Sequence, residues 1–598
     1  MNNHRRENKE ETMKKNEKRK LWKQGLGTAL VCGLAVAVFP AAKADAADLL
    51  KAGPINTTAE HVTQNQPFAE RTAGSQYFRI PAFIVTQKGN LLAAADARYS
   101  TTGDGGGLDT IASVSTDNGK TWNYSFPLYF PDSDGYIGNT ATTIIDPALV
   151  QGKDGEIYCI ADVNPTGVTT MGGYKAPGEG TGYVKVNGKD YLAVTDNYDN
   201  VNTQPKDDDA TTYAYYVGDW DENGYARILK RSDHSETEYG VDKWYNLYKV
   251  ENGEYKDTLT QKQVNSNTDI QQNIFYKGSA LHVYNTGYMM YAKTYDDGFT
   301  WTDPEILNPQ IKRPTKETAL LVSPGQGLLT SDGTIVIPFY DHGDGEENAS
   351  IIWSDDNGKT WERSNDVPGA AAGGYWSSES EVVELSDGTL RMFFRSGQGV
   401  VCYSDAVRNT SGDYVFTKPV KTGVSCTSTC NVTAISYSKT IDGKQAILVA
   451  APGGSGRANG KIFTFLVEED KTLTLKNSYS VNSGTYQYSC MSELKNGTVG
   501  LLWENGGGSI RYDNYDIAQL AADGYINDLE LGVELTRNET YTRSYQVAEE
   551  HKTGITTEAD QKIADVNYAK VDGVEKEVVP MYAHIANNNS DLSSLQQK

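Results

Sequence analysis

Short apolar runs separated by turn residues recur along most of the chain. Runs of five to seven residues, rich in Val, Ile, Leu, Ala and aromatic side chains, alternate with clusters of Gly, Asp, Asn and Ser. Such runs span residues 91–95, 334–339, 389–394, 445–450, 461–467 and 498–503. Because helical periodicity is scarce, the pattern predicts an all-β protein with many short strands. Their even spacing favours a β-propeller over a β-sandwich.

One turn sequence occurs three times. It reads STDNGKTW at residues 115–122, TYDDGFTW at 294–301 and SDDNGKTW at 354–361. Each copy follows a strand-like run, at residues 111–114, 288–292 and 350–353. Asp and Gly favour a tight hairpin turn, and we expect the Thr and Trp to pack beneath it. A recurring unit of this kind indicates a repeat architecture.

The distances between these turns predict an insertion. Asp296 and Asp356 are 60 residues apart, whereas Asp117 and Asp296 are 179 apart. Since one propeller blade takes roughly 50–60 residues, the longer interval contains additional structure. We expect residues 164–285, which are rich in Tyr, Asp, Asn and Gly, to form a β-rich subdomain within one blade. Their many aromatic residues argue against a disordered loop.

The two ends of the chain differ from the repeat. Residues 1–23 are rich in Lys and Arg, residues 24–42 are uncharged, and the small-residue site Ala44-Asp45-Ala46 follows. This order is typical of a secretory signal peptide cleaved near Ala46, with release from the cell, although an uncleaved anchor stays open. The predicted organisation is a signal peptide at 1–46, a propeller at 47–163 and 286–537, the insertion at 164–285 and a polar tail at 538–598. Residues 587–598 are predicted to be disordered.

Composition narrows the classes of partner. The net charge of −23 argues against nucleic acid or an anionic membrane as partner. Five cysteines follow the leader, too few and odd in number for a disulfide framework, so Cys426 and Cys430 are either a pair or buried thiols. The seven histidines show no metal-ligand spacing. We therefore expect no cofactor and no catalytic metal, while a structural Ca²⁺ stays open. A monomer is expected as well.

A family resemblance begins near the start of the propeller segment. The sequence Tyr77-Phe78-Arg79-Ile80-Pro81 resembles the FRIP motif of bacterial glycoside hydrolase family 33 sialidases. The repeated turns resemble the Asp boxes of the same superfamily, and the resemblance covers roughly residues 76–516. It implies a six-bladed β-propeller and an exo-α-sialidase that removes terminal sialic acid from sialylated glycans.

The resemblance also implies an arginine triad. Its members are Arg79, Arg395 in Phe-Arg-Ser-Gly and Arg457 in Gly-Arg-Ala-Asn-Gly. Sialic acid carries a carboxylate on its anomeric carbon, and guanidinium groups bind carboxylates with paired hydrogen bonds while staying charged. A lone arginine is usually a solvated surface residue. Three of them in family order and context point to a site for a sugar acid.

The same carboxylate explains the type of nucleophile. A carboxylate nucleophile would be repelled by the substrate carboxylate, whereas a neutral phenol is not. The resemblance places this phenol at Tyr488, with Glu379 as the base that accepts its proton. Tyr486 is the nearest alternative nucleophile, and Glu381 and Glu384 are alternatives to Glu379.

Further site residues follow from the same resemblance. Asp104, in a glycine-rich loop, is implied as the acid/base, with Asp109 as its competitor. Arg98 resembles the residue that binds the 4-hydroxyl of the sugar. Asp146 resembles a pocket residue near the N-acetyl group, and Glu504 the carboxylate that orients Arg79. For both of these residues a purely structural role stays open.

Four functions remain open at this stage. Hydrolysis is favoured over intramolecular transfer to 2,7-anhydro-sialic acid, because relatives that perform the transfer carry a Trp about 21 residues after the nucleophile. Here the segment from Glu504 to Ser509 is small and glycine-rich, although the Tyr-rich insertion could supply an aromatic ring. A sialic-acid-binding lectin or adhesin needs the arginines but not Asp104, Tyr488 and Glu379 together. A structural scaffold leaves the arginines unexplained.

Overall fold

The computed structural model gives an all-β protein with a propeller-like arrangement of sheets. It describes residues 49–56, 60–61, 66–69, 71–132, 141–168, 180–209, 211–264, 266–313, 317–343, 346–427, 429–454, 456–524, 526–527, 568–571 and 574–577. The predicted signal peptide, the predicted disordered end and most of the predicted tail lie outside these residues. Within the tail segment, Tyr568–Val571 pairs antiparallel with Val574–Glu577.

The first sheet has ten strands, nine of which form two antiparallel meanders, while Gly325–Gln326 pairs parallel with Thr143–Gln151. Its strands are Glu60–His61, Tyr77–Val85, Leu91–Arg98, Leu108–Ser115, Trp122–Leu128, Thr143–Gln151, Ile157–Asn164, Tyr288–Thr294, Glu305–Ile306 and Gly325–Gln326. The two meanders are joined through one parallel pair, Leu108 with Thr143. Two candidate site residues lie on strands of this sheet that each begin a meander: Arg79 on 77–85 and Asp146 on 143–151.

Four more sheets continue the ring in chain order. The first of them consists of Glu317–Val322, Leu328–Leu329, Ile335–Gly343, Glu346–Ser354 and Glu362–Arg363, and the second of Ser380–Glu384, Leu390–Phe394, Val400–Arg408, Tyr414–Phe416 and Val420–Ser425. The third consists of Thr433–Ile441, Lys444–Pro452, Ala458–Val467, Leu473–Thr485 and Ile526–Asn527. The fourth consists of Ser489–Glu493, Val499–Glu504 and Ile510–Tyr515. The described helices are short: Thr72–Gly74, Tyr198–Asn200, Asn308–Ile311, Ala370–Ala372 and Ile517–Ala521. Among the described residues, none of the helices is long and apolar enough to cross a membrane.

The hydrophobic core is divided among the spaces between consecutive sheets. One cluster joins Phe83 of the first sheet to Leu502 of the last, so that the last sheet packs against the first. Others lie between neighbouring sheets, for example around Ile160 with Ile337 and around Val449 with Phe393. This closure of a ring by side-chain packing is what a propeller requires.

The predicted insertion contains a sheet of its own. Its eight strands are Tyr183–Val186, Lys189–Thr195, Tyr215–Trp220, Tyr225–Lys230, Glu236–Asp242, Leu247–Glu251, Glu254–Lys256 and His282–Val283. A separate pair is formed by Thr260–Lys262 and Asp269–Gln271. All of these strands lie within residues 164–285. Since strands 157–164 and 288–294 pair with each other, the chain leaves and re-enters the propeller between adjacent strands.

The three repeated turns share one set of hydrogen bonds. Asp117, Asp296 and Asp356 each accept hydrogen bonds from the hydroxyl two residues earlier and from the amide and hydroxyl of the Thr four residues later, at 2.7–2.9 Å. The next two residues in each turn have positive φ, which explains the Asn/Asp-Gly pairs. The closing tryptophans are buried, as predicted.

The cysteines are reduced in the described part of the chain. Cys159, Cys402, Cys426, Cys430 and Cys490 are all free and buried. The pairing of Cys426 with Cys430 that the sequence left open is therefore not formed.

Candidate active site

Tyr488 and Glu379 form the centre of the site. Each residue immediately precedes a strand: Tyr488 precedes Ser489–Glu493 of the last sheet, and Glu379 precedes Ser380–Glu384 of the sheet two before it in chain order. The hydroxyl of Tyr488 donates to Oε1 of Glu379 at 2.5 Å. Nη1 of Arg395 donates to Oε2 of Glu379 at 2.9 Å and to the Tyr488 hydroxyl at 3.3 Å. A phenol, a proton acceptor and a guanidinium therefore meet at one point.

The electrostatic environment keeps this phenol neutral. Tyr488 is 5% exposed. Its burial raises the pKa of the phenol well above its ordinary value, and the neighbouring Glu379 carboxylate raises it further, while Arg395 acts in the opposite direction. The phenol thus reaches the site uncharged, and its proton can pass to Glu379 only as the hydroxyl oxygen forms a bond.

All three predicted arginines surround the Tyr488 ring. The guanidinium carbon of Arg79 lies 5.6 Å from the ring centre and that of Arg457 lies 5.2 Å from it. Arg395 contacts the hydroxyl of the same ring. Residues separated by almost 380 positions in the sequence are therefore brought into one cationic group, which suits an anionic ligand.

Glu504 holds the segment that carries Arg79. Its Oε2 accepts from Nε and Nη2 of Arg79 at 3.3 and 3.4 Å, and its Oε1 accepts from the backbone amide of Ile80 at 2.7 Å. The strand is bulged here, and Ile80 has φ 58°, a left-handed conformation that a β-branched residue rarely adopts. The strained bulge turns the Arg79 side chain toward Tyr488.

Asp104 lies at the exposed edge of the site. Its side chain is 47% exposed. Oδ1 accepts from Nη1 of the buried Arg98 at 2.6 Å and from Nη1 of Arg79 at 3.3 Å. Burial acts to raise the pKa of this carboxyl, but Arg98, Arg79 and Arg457 together outweigh it and lower the pKa. Asp104 is thus in reach of a ligand held by the arginines.

Asp146 occupies a second bulge, on the inner strand of the next meander. It has φ 62° and precedes a proline, as Ile80 does, and its backbone amide donates to Oδ1 of Asp96 at 3.0 Å. It is 7% exposed. Burial raises the pKa of Asp146 well above its ordinary value, and the carboxylates of Asp96 and Asp162 raise it further. The nearby carboxylates of Glu379 and Asp104 raise the pKa of Asp146 as well.

The alternative residues have other partners. The Tyr486 ring is stacked on Trp503, 5.3 Å between ring centres, and is fully buried. Glu381 accepts from Thr433 Oγ1, the Ala434 amide and Cys490 Sγ beneath the site. Glu384 is bound by Ser331, and Asp109 accepts from the Tyr99 hydroxyl and the Phe130 amide.

Sequence reasoning missed two residues that shape the site. The side chain of Asn431 is bonded in both directions to the backbone of Ser489, which fixes the segment that carries Tyr488. Asp96 binds both Arg98 and the Asp146 amide. A signal for Asp96 was present, because alternation along a strand places residues 96 and 98 on one face. Asn431 has no comparable signal.

Comparison with known proteins places this site in a family. The family described as a BNR repeat-like domain matches residues 80–489, which include all of the site residues above except Arg79 and Glu504. The chain therefore belongs to this family of repeat proteins.

Individual relatives specify the family further. The anhydrosialidase of Macrobdella decora is 31% identical over 79% of this chain and 62% of its own length, and sialidase B of Streptococcus pneumoniae is 29% identical over 77% and 65%. The solved structure of the intramolecular trans-sialidase from Ruminococcus gnavus, in complex with oseltamivir carboxylate, has a TM-score of 0.64 at 29% identity, covering 76% of this chain and 98% of that one. The chain spans less than two thirds of either curated relative. Within its family, the chain is therefore similar to sialidases over about three quarters of its length.

Proposed function

We propose that this protein is an exo-α-sialidase that removes terminal sialic acid from sialylated glycans with retention of configuration. One observation carries the proposal: the hydroxyl of Tyr488 lies 2.5 Å from Glu379 inside a ring of three arginines. A cationic group of this kind suits the carboxylate on the anomeric carbon of sialic acid. It presents that carbon to a phenol that has a base already in contact.

The proposed reaction has two displacement steps. Arg79, Arg395 and Arg457 bind the substrate carboxylate, and Asp104 donates a proton to the glycosidic oxygen as the bond to the aglycone breaks. The Tyr488 oxygen bonds to the anomeric carbon while its proton passes to Glu379, which gives a covalent sialyl-tyrosine. In the second step Asp104 takes a proton from water, whose oxygen replaces Tyr488, and Glu379 returns the proton to the phenol.

Supporting positions are proposed for the remaining residues. Arg98 binds the 4-hydroxyl of the sugar, Asp146 lies near its N-acetyl group, and Glu504 orients Arg79. The buried, uncharged state that the environment favours for Asp146 would let it donate a hydrogen bond as well as accept one.

Hydrolysis is the proposed outcome of the second step. The segment that follows Glu504 consists of Asn505, three glycines and Ser509, and a side chain at Gly507 would meet nothing within 4 Å. The position 21 residues after Tyr488 is Ser509, whose side chain is small, so this segment supports access of water. Intramolecular transfer is the second candidate, because the names of two relatives, the anhydrosialidase of Macrobdella decora and the intramolecular trans-sialidase from Ruminococcus gnavus, describe that reaction.

Two measurements on the purified full chain test the proposal. Incubation with a sialoside that has a fluorogenic aglycone should release fluorescence, and its absence at concentrations that saturate binding would instead indicate a sialic-acid-binding lectin. Mass spectrometry of the released sugar separates the two outcomes. The product of intramolecular transfer lacks one water relative to free sialic acid.

Three broader features are also proposed. We infer six blades, counting the two meanders of the ten-stranded sheet separately, since a single parallel pair joins them. The protein is exported by its N-terminal leader and acts outside the cell as a monomer. Intact-mass analysis of the secreted protein tests the export. Light scattering tests the monomer.

A further inference from the structure

Asp96 is a buried carboxylate that contacts two parts of the candidate site at once. Its Oδ2 accepts from Nη2 and Nε of Arg98 at 2.6 and 3.2 Å. Its Oδ1 accepts from the backbone amide of Asp146 at 3.0 Å. Asp96 and Arg98 are both 0% exposed. One carboxylate therefore fixes an arginine of its own strand and the bulge of the neighbouring meander.

Arg98 extends this contact to the acid/base loop. Its Nη1 donates to the carbonyls of Thr102 and Gly103 at 2.7 and 3.0 Å, and to Oδ1 of Asp104 at 2.6 Å. A planar guanidinium can span two such sets of acceptors because its donors are rigidly arranged. The order of contacts runs from Asp96 through Arg98 to the loop at residues 102–104.

We propose that Asp96 is a positioning residue for the acid/base step, which it controls by orienting Arg98 and thereby holding Asp104 in the site. The inference rests on the proposed role of Asp104. Asp96 itself is fully enclosed and does not touch substrate. Its effect on the reaction passes entirely through the guanidinium of Arg98 and the loop bound to it.

The neighbouring meander supplies a matched control. Asp162 occupies the corresponding second strand, 157–164, is also 0% exposed, and accepts from the amide of Val322 at 3.1 and 3.3 Å. It makes the same kind of contact to the next sheet as Asp96 does. Asp162 differs from Asp96 in one respect: its hydrogen bonds come from a backbone amide and not also from an arginine. Asp162→Asn thus replaces a buried carboxyl that holds the next sheet without disturbing Arg98.

The direction of a pH effect follows from the charges around the two carboxyls. The charged side chains that face Asp104 are Arg79, Arg98 and Arg457, with the carboxyl of Asp146 nearby. The titratable side chains that face Asp96 are Arg98, Arg79, Asp146 and Asp162. Removing the charge of Asp96 leaves Arg98 less neutralised, so the pKa of Asp104 falls further. Since the first step needs protonated Asp104, activity should then decline at lower pH than in the wild type.

The experiment compares Asp96→Asn, Asp162→Asn and the wild type. We expect D96N to lower kcat by about 10- to 100-fold and to move the alkaline limb of its pH profile to lower pH. We expect D162N to lower the melting temperature while leaving the profile in place. Equal profiles for D96N and wild type, or the same displacement in D162N, would overturn the inference.

Hydrogen–deuterium exchange gives a readout that does not depend on activity. Amides of residues 99–107 should exchange faster in D96N than in D162N, because the loop has lost its anchor. If D96N does not fold, Arg98→Lys replaces it, since one ammonium cannot bind Asp96 and the loop together; unchanged exchange in R98K overturns the inference. A wild type that releases no sialic acid would refute the proposed function, whereas the exchange data would still decide whether Asp96 holds the loop.

Discussion

Nη1 of Arg395 lies 2.9 Å from Oε2 of Glu379, so one arginine of the triad is also the partner of the proposed base. The ion pair holds Glu379 in the orientation in which its other oxygen, Oε1, accepts from Tyr488. In the proposed reaction, Arg395 binds the substrate carboxylate while it holds Glu379. Substrate binding and the orientation of the proposed base would then be coupled through this one side chain.

Tyr488→Phe should lower kcat by about 10³-fold or more, because the ring stays while the attacking oxygen is lost. Tyr486→Phe is the matched control: it removes a hydroxyl from a buried ring stacked on Trp503, and we expect near wild-type turnover. Steady-state kinetics with a fluorogenic sialoside and melting curves of both variants provide the comparison. Comparable turnover in Y488F and Y486F would contradict the assignment.

Glu379→Gln should lower kcat by roughly 10²- to 10⁴-fold, since an amide keeps the shape but cannot take up the phenolic proton. Glu384→Gln serves as control, because that carboxylate binds Ser331 away from the site. Rapid-quench measurement of the aglycone burst isolates the first step. A burst as fast in E379Q as in the wild type would exclude Glu379 as the base.

The fold was largely accessible from the sequence because its signals are local. The apolar runs at 91–95, 445–450 and 498–503 became strands 91–98, 444–452 and 499–504. The separate eight-stranded sheet lies in the long interval between the first two repeated turns. Alternation and turn chemistry act within a few residues, so a single sequence contains them in full.

The grouping of the site residues could be predicted only from the family resemblance. Nothing in the local sequence brings Arg79 to Glu504, since their contact depends on the last sheet closing onto the first. Likewise, the pairing of Asp96 with the Asp146 amide depends on how two meanders meet. Contacts of this kind are set by packing between blades, for which strand periodicity carries no information.

Arg395→Lys should raise KM by about tenfold or more and also lower kcat, because an ammonium cannot donate in parallel to the substrate carboxylate and to Glu379. Arg391→Lys is the control on the preceding strand. Arg391 is 1% exposed and makes a two-point contact with Asp405 at 2.7 and 2.8 Å, so its loss affects stability. An R391K variant with lower melting temperature but unchanged KM, beside R395K with raised KM, is the expected result. Equal KM values for R395K and wild type would remove Arg395 from the carboxylate site.

Asp356→Ala should lower the free energy of unfolding by about 1–3 kcal/mol, because the turn amides and hydroxyls lose their acceptor. Burial works against the charged form of Asp356, but its hydrogen bonds from Thr360, Ser354 and Lys359 outweigh this and lower the pKa to about 2.

The pH dependence of this effect has a definite sign. A carboxyl whose pKa is lower in the folded state stabilises fully above its unfolded pKa of ~3.9. That contribution is lost as the pH falls toward 2. The difference in melting temperature between wild type and D356A should therefore shrink below pH 4. Exposed Glu362, changed to Ala, is the control and should leave the melting temperature within about 1 °C. A difference in D356A that grows on acidification would contradict the assignment.

The pH dependence of the reaction should differ between the free and the bound enzyme. In the free protein the arginines lower the pKa of Asp104, so little of it is protonated at neutral pH. Binding of the substrate carboxylate neutralises part of that positive field, and the pKa of Asp104 rises in the complex. The alkaline limb of kcat, which reports the complex, should therefore lie at higher pH than the alkaline limb of kcat/KM, which reports the free enzyme. Profiles measured with Asp104→Asn should lack this limb, and Asp109→Asn should keep it. Coinciding limbs in the wild type would show that the substrate carboxylate does not control the acid.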